Sequence, residues 1–140
     1  MSKKKKFNDK PFGYHQEIEL SISTLTNLGL GLGRVDLEGE GGSRKWVVMV
    51  AFALPGERVR ARVYRNHANY SEADLLEVLD ASPDRIEPRC ALFGRCGGCH
   101  YQHAPYEFQL ARKVEILREQ LRRVGKIDYP GEIEIGRAHV

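Results

Sequence analysis

From Glu17 to Leu25 apolar and polar positions alternate, with Ile18, Leu20 and Ile22 on one side and Glu17, Glu19, Ser21 and Ser23 on the other. A period of two predicts a half-buried β-strand. Asn27, Gly29, Gly31 and Gly33 then interrupt regular structure, and Arg34-Val35-Asp36 offers a brief pairing segment before the turn at 38–42. These glycines lack P-loop spacing and no Lys-Ser/Thr follows, so a tight barrel bend is favoured over a phosphate cradle. Lys45 to Phe52 reads as a second strand, apolar enough to be covered on both faces, and Leu54-Pro55-Gly56 ends it. In the next strand Arg58, Arg60 and Arg62 alternate with Val59, Ala61 and Val63. The pleat therefore sets a core face against a positive stripe. Ala73 to Asp80 is read as a strand, although Leu75, Leu76 and Leu79 also suit a helix that Ser71 would cap. Short strands at about 8 to 12 residue spacing with glycine-rich turns predict a mainly β chain, a small antiparallel barrel.

Outside the barrel the pattern changes. Residues 1–15 carry Lys3 to Lys6, then Asn8, Asp9, Pro11 and Gly13, too little apolar surface to offset the entropy of ordering, so a mobile basic tail is expected. A solubilising terminus is favoured over a phosphate-seeking arm. Ser82-Pro83 and Glu87-Pro88 break regular structure ahead of a cysteine-rich stretch. Beyond it, Pro105 and Glu107 suit a helix start, Leu110, Val114, Leu117 and Leu121 form a stripe, and Gly125 is a stop. The arginines and lysines of this helix are read as a solvated face before an RNA surface.

Composition narrows the class. The 140 residues are 41% hydrophobic and 29% charged, with a formal charge of +3, enough for one small domain and part of a second, and inconsistent with wholesale disorder. No apolar run approaches the ~20 residues of a membrane span, and Met1 to Phe7 lacks the apolar stretch of a signal peptide. A cytoplasmic, membrane-free monomer is expected. Three cysteines cannot all pair in one chain, and a reducing compartment disfavours disulfides.

Their spacing points to a metal centre. Five residues separate Cys90 from Cys96 and two separate Cys96 from Cys99, with Gly97 and Gly98 allowing a tight turn between thiolates. Zinc would want a fourth ligand, which His100 or His103 could supply. An iron-sulfur cluster would want a fourth cysteine.

Cys90-x5-Cys96-Gly-Gly-Cys99-x-x-Gln102-His103, followed by Tyr106-x-x-Gln-Leu110-x-x-Lys113, resembles the RNA uracil-C5 methyltransferases of the RumA/RlmD type. Their TRAM domain is matched by Gly29-x-Gly31-x-Gly33, Leu54-Pro-Gly-Glu57 and Ser82-Pro-Asp-Arg85-x-x-Pro88. The resemblance covers residues 16 to about 125. It implies an OB-like TRAM barrel over 16–82 that grips rRNA or tRNA. A segment holding a 4Fe-4S cluster follows over 83–134, and then a catalytic α/β domain using S-adenosylmethionine, where a cysteine attacks C6 of uracil and the methyl passes to C5. Cys90, Cys96 and Cys99 would be three cluster ligands, bound as thiolates. No residue is assigned here to catalysis or to S-adenosylmethionine, so the chain is expected to be truncated before its catalytic domain and inactive alone. Ile135 to Val140 reads as translated adapter DNA and is expected to be a non-native tail.

Arg58, Arg60 and Arg62 are expected to neutralise RNA phosphates, with Tyr64 stacking on a base or packing at the barrel rim. Gln102 and His103 belong to the motif and could serve hydrogen bonding in the cysteine loop, RNA contact or packing, with structural support favoured. The competing reading is a stand-alone zinc-bearing RNA-binding protein. A radical S-adenosylmethionine enzyme fits less well, because its cysteines are usually spaced C-x3-C-x2-C.

Overall fold

A computed structural model describes residues 6–136. The barrel consists of β1 (Glu17–Leu25), β2 (Gly31–Leu37), β3 (Arg44–Val50), β4 (Arg58–Asn66) and β5 (Tyr70–Asp80), and α1 (Tyr106–Arg123) follows it. The strands close in the order β1-β2-β3-β5-β4. Four seams are antiparallel as expected, whereas β3 and β5 run parallel, pairing Val47 with Tyr70 and Val50 with Ala73.

Alternation places Leu20, Ile22, Trp46, Val48, Val59 and Val63 inside. At roughly 1.5–3 kcal/mol for each fully buried large apolar side chain, this interior is the main source of stability. β3 is not covered on both faces. Trp46, Val48 and Val50 are buried while Val47 and Met49 are only partly covered. The mixed periodicity of β5 has a local cause. Its register against β4 jumps from Arg58↔Asp80 to Val59↔Val78 and from Arg60↔Glu77 to Ala61↔Leu75, so Leu79 and Leu76 are extra residues at bulges. Ser71 caps nothing, because its buried hydroxyl accepts from Trp46 Nε1 and donates to Asn66 Oδ1.

Gly33 faces inward where β1 crosses β2, and a Cβ there would run into the Ser21 carbonyl oxygen. Close backbone approach explains Gly33 and Gly31, whereas Gly29 takes φ 79° against the Tyr101 ring. The expectation of a mobile tail through residue 15 is corrected within the described residues. Phe12 is buried in the core, and Asn66 donates to the carbonyls of Asn8 and Phe12. A single aromatic was enough to anchor the segment, which composition averages had obscured. Residues 1–5, with most of the lysine run, lie outside the described residues, as do 137–140 of the expected tail.

The helix stripe also departs from expectation, since no residue of α1 is buried. Polar links hold the helix instead. Gln109 donates to the carbonyls of Tyr101 and Ala104, and Arg118 donates to those of Tyr129 and Gly131. Lys126, not Gly125, adopts the left-handed conformation past the helix end. Gly125 is required because a Cβ would approach the Leu121 carbonyl oxygen to 2.8 Å.

The β3–β4 connection is locked from below by one carboxylate. Glu57 is fully buried. Its oxygens accept from Leu54 N, Ser82 N and the Nε and Nη2 of Arg85. Arg85 also donates to the carbonyl of Phe52, whose φ of 67° is the left-handed region. Burial works to raise the Glu57 pKa, but the Arg85 hydrogen bonds and charge and the Leu54 and Ser82 amides outweigh it and hold the carboxyl below its usual value. A depressed carboxylate stabilises the fold above its unfolded pKa, and that contribution disappears as pH falls through the folded value. Glu57→Ala should cost about 3–5 kcal/mol by leaving Arg85 uncompensated. Urea unfolding at neutral pH measures it, and a change below about 1 kcal/mol would contradict the arrangement.

Candidate nucleic-acid interface and cysteine loop

Arg58, Arg60 and Arg62 do share the outer face of β4, but that face is not a bare positive stripe. Strand register sets β1 and β5 on either side, with Glu19 opposite Arg60, Glu77 on its other flank and Asp74 opposite Arg62. Arg58 pairs with Glu19, Arg60 reaches Glu77 at 2.9 Å and Glu17 at 3.7 Å, and Arg62 reaches Asp74 at 3.3 Å. All these side chains are 40% exposed or more. Such pairs contribute only about 0.2–1 kcal/mol each, so a phosphate can displace the carboxylates. Tyr64 continues the row at 40% exposure. Burial pushes its phenol pKa up, helped by the charges of Glu72 and Asp74. Glu17 and Glu19 were visible in sequence as part of the polar face of β1, but only the register reveals that they and the β5 residues Asp74 and Glu77 flank the arginines.

The cysteine loop leaves the Glu57–Arg85 lock and is built from tight turns. Phe93 N donates to the Cys90 carbonyl, Arg95 N and Cys96 N both donate to the Leu92 carbonyl, and Gly94 takes φ 85°. Cys90, Cys96 and Cys99 are free and exposed. The Gln102 amide spans the loop, its Oε1 accepting from Cys90 N at 3.0 Å and its Nε2 meeting Cys99 Sγ at 3.1 Å. That is the supporting role expected of it. Three thiols on one short loop suit iron-sulfur or zinc chemistry in kind. They are not gathered, however, and among the described residues no three His, Cys, Asp or Glu side chains form a group able to hold a metal ion.

His103 departs from the zinc reading. It is 1% exposed, stacked on Phe93 at 5.3 Å between ring centroids and edge-on to Phe52 at 6.3 Å. Neither ring nitrogen has a hydrogen-bond partner among the described residues. Burial, reinforced by the charge of Arg85 and opposed by Glu57, lowers its pKa to about 4. It is therefore a neutral aromatic wedge between the barrel and the cysteine loop, and Ile86 N donates to its carbonyl. Neither its burial nor the positive φ of Phe52 had a signal in the sequence. The Leu54-Pro-Gly-Glu57 and Ser82-Pro-Asp-Arg85 motifs marked the lock beneath it without revealing that they meet.

The TRAM domain family matches residues 15–76, nearly the span of the closed barrel. The chain carries a TRAM domain. It is also 44% identical over 108 residues to the 23S rRNA (uracil(1939)-C(5))-methyltransferase RlmD of Thiobacillus denitrificans, covering 77% of this chain and 23% of that protein. The RlmD of Halomonas elongata is 44% identical over 113 residues, 81% of this chain and 22% of that protein. An uncharacterized RNA methyltransferase of Halalkalibacterium halodurans is 36% identical over 117 residues, 84% of this chain and 24% of that protein. The chain thus spans about a quarter of the length of the curated relatives it matches.

Two outcomes follow from this geometry. Cys90, Cys96 and Cys99 should all react with a thiol-specific disulfide reagent in the native protein, and a titre rising only in denaturant would show them sequestered. Because the His103 folded pKa lies below its unfolded value, stability should decline as pH drops from about 6.5 towards about 4 and then level off. His103→Phe should flatten that part of the urea-midpoint profile, leaving the Glu57 contribution at more acid pH.

Proposed function

We propose that this chain is the RNA-binding portion of an S-adenosylmethionine-dependent uracil-C5 RNA methyltransferase acting in the cytoplasm on rRNA or tRNA. The carrying observation is the TRAM match laid over a closed barrel, within a chain whose relatives are named RNA methyltransferases. The barrel binds RNA as a monomer, mostly through phosphate, so affinity falls with salt and depends little on sequence. On β4, Arg58, Arg60 and Arg62 contribute by exchanging their carboxylate partners for phosphate, and Tyr64 offers a stacking surface. Methyl transfer belongs to parts of the longer protein outside these 140 residues, so the chain alone is inactive.

Cys90, Cys96 and Cys99 are proposed as three ligands of a 4Fe-4S cluster, with the fourth supplied from outside the chain. Thiol donors, their exposure and their placement on one loop support this reading. The cluster would fix the loop against the His103 wedge and so orient the barrel on RNA. Its loading would require the sulfurs to draw together around it, with the Gln102 amide as their tether.

Fluorescence anisotropy with single-stranded RNA at increasing salt tests the RNA reading. Binding that weakens steeply with salt is expected, and Arg58→Gln/Arg60→Gln/Arg62→Gln should weaken it further and reduce the slope. No binding at low salt would overturn the proposal. Anaerobic reconstitution with iron and sulfide should give brown protein with broad visible absorbance. A colourless protein holding one zinc per chain would assign the thiols to zinc instead.

A further inference from the structure

Across β2, β3 and β5 the register builds a second outer face unlike that of β4. Arg34, Val47 and Tyr70 form one row, and Leu32 and Met49 form the next. Helix α1 stands opposite and contributes Ile116, Gln120 and Arg123, enclosing a cleft of about 390 Å³. That volume is within the range of small-ligand pockets, roughly 300–1,000 Å³.

The cleft has the chemistry of a nucleotide site. Leu32, Val47 and Met49 make an apolar floor, and Tyr70 stands at its edge with one ring face already stacked on His67 at 4.3 Å. Stacking of a base on an aromatic ring is worth about 1–3 kcal/mol and is tolerant of sequence. Asn27 and Asn69, from the β1–β2 and β4–β5 turns, bring exposed amides to the rim, where a base edge would meet them. The cleft also contains two guanidiniums and one carboxylate. Glu119 holds Arg123 at 3.3 Å, whereas Arg34 is exposed and has no ion-pair or hydrogen-bond partner among the described residues. In this respect Arg34 differs from Arg58, Arg60 and Arg62, each of which already faces a carboxylate.

We infer that this cleft holds one nucleotide of single-stranded RNA, its base over the Val47–Met49 floor against Tyr70 and its phosphate on Arg34 and Arg123. The inference rests on the RNA-binding reading and locates its tightest contact between barrel and helix instead of on β4. Five-stranded barrels of this type commonly present the β2–β3 face and the neighbouring turns to oligonucleotides. Here α1 adds a second wall, and the volume between the two suits a single nucleotide.

The test uses the whole chain and a fluorescein-labelled decamer of oligouridylate. Arg34→Gln should weaken binding several-fold and lower the slope of log K against log salt by about 1. Arg89→Gln, which removes the same charge on the cysteine loop, should have less than half that effect. A decamer carrying 4-thiouridine should photocrosslink to peptides containing Met49 or Tyr70. Equal losses for the two variants, or crosslinks confined to residues 58–64, would overturn the cleft while leaving the RNA-binding reading intact. Absence of binding by the unaltered chain at low salt would overturn both.

Discussion

One buried carboxylate governs how the parts of this chain are arranged. Glu57 is sealed from water and accepts from backbone and side chain at once, drawing together the β3–β4 turn, the Ser82 amide and Arg85. An isolated buried charge would be prohibitive, so the carboxylate is tolerated only because a guanidinium and two amides converge on it. The same guanidinium binds the Phe52 carbonyl and so fixes Phe52 in its left-handed backbone conformation. The Phe52 ring then meets Phe93 and His103 from the cysteine loop. Barrel and loop are thus joined through one polar knot with an aromatic layer above it, and the loop's position follows from a residue far from it in sequence.

The barrel was largely legible in the sequence, because β1 and β4 announce themselves by alternation and the first three connections by glycine or proline. What stayed hidden was set by partners rather than by local pattern. The β5 leucines read ambiguously because two bulges shift their facing, and a bulge is a property of a strand pair. Phe12 was averaged into a polar tail, though a single anchored aromatic decides the path of that segment. In the cysteine loop the spacing of the thiols is legible, and hydrogen bonding within the loop is one of several roles the sequence leaves open for Gln102. The burial of His103 could not be anticipated, since polar residues are read as exposed unless a partner is known.

Charge shows the same distinction in functional terms. Arginines at 58, 60 and 62 look like a phosphate-binding stripe when read along one strand, yet the neighbouring strands answer them with Glu19, Glu77 and Asp74. In such a lattice the field seen from outside is far weaker than the count of guanidiniums suggests. Arg34 is a single charge in a less conspicuous sequence context, but among the described residues it forms no ion pair, and Glu119, the carboxylate of its cleft, is paired with Arg123. Electrostatic attraction follows the uncompensated charge, not the number of cations.

The helix adds a geometric reason why that cleft, and not the β4 face, should discriminate among nucleic acids. An open sheet face accepts any polyanion, duplex or single strand, that can reach its cations. A cleft between a sheet and a helix presents two walls to whatever enters it. Because α1 buries no residue of its own and is held by hydrogen bonds from Gln109 and Arg118 to loop carbonyls, its distance from the barrel is not set by core packing. Polar tethers of this kind can yield by small amounts without opening a cavity in the core. The wall of the cleft can therefore adjust to an entering base while the barrel beneath it, closed on all five seams, remains fixed.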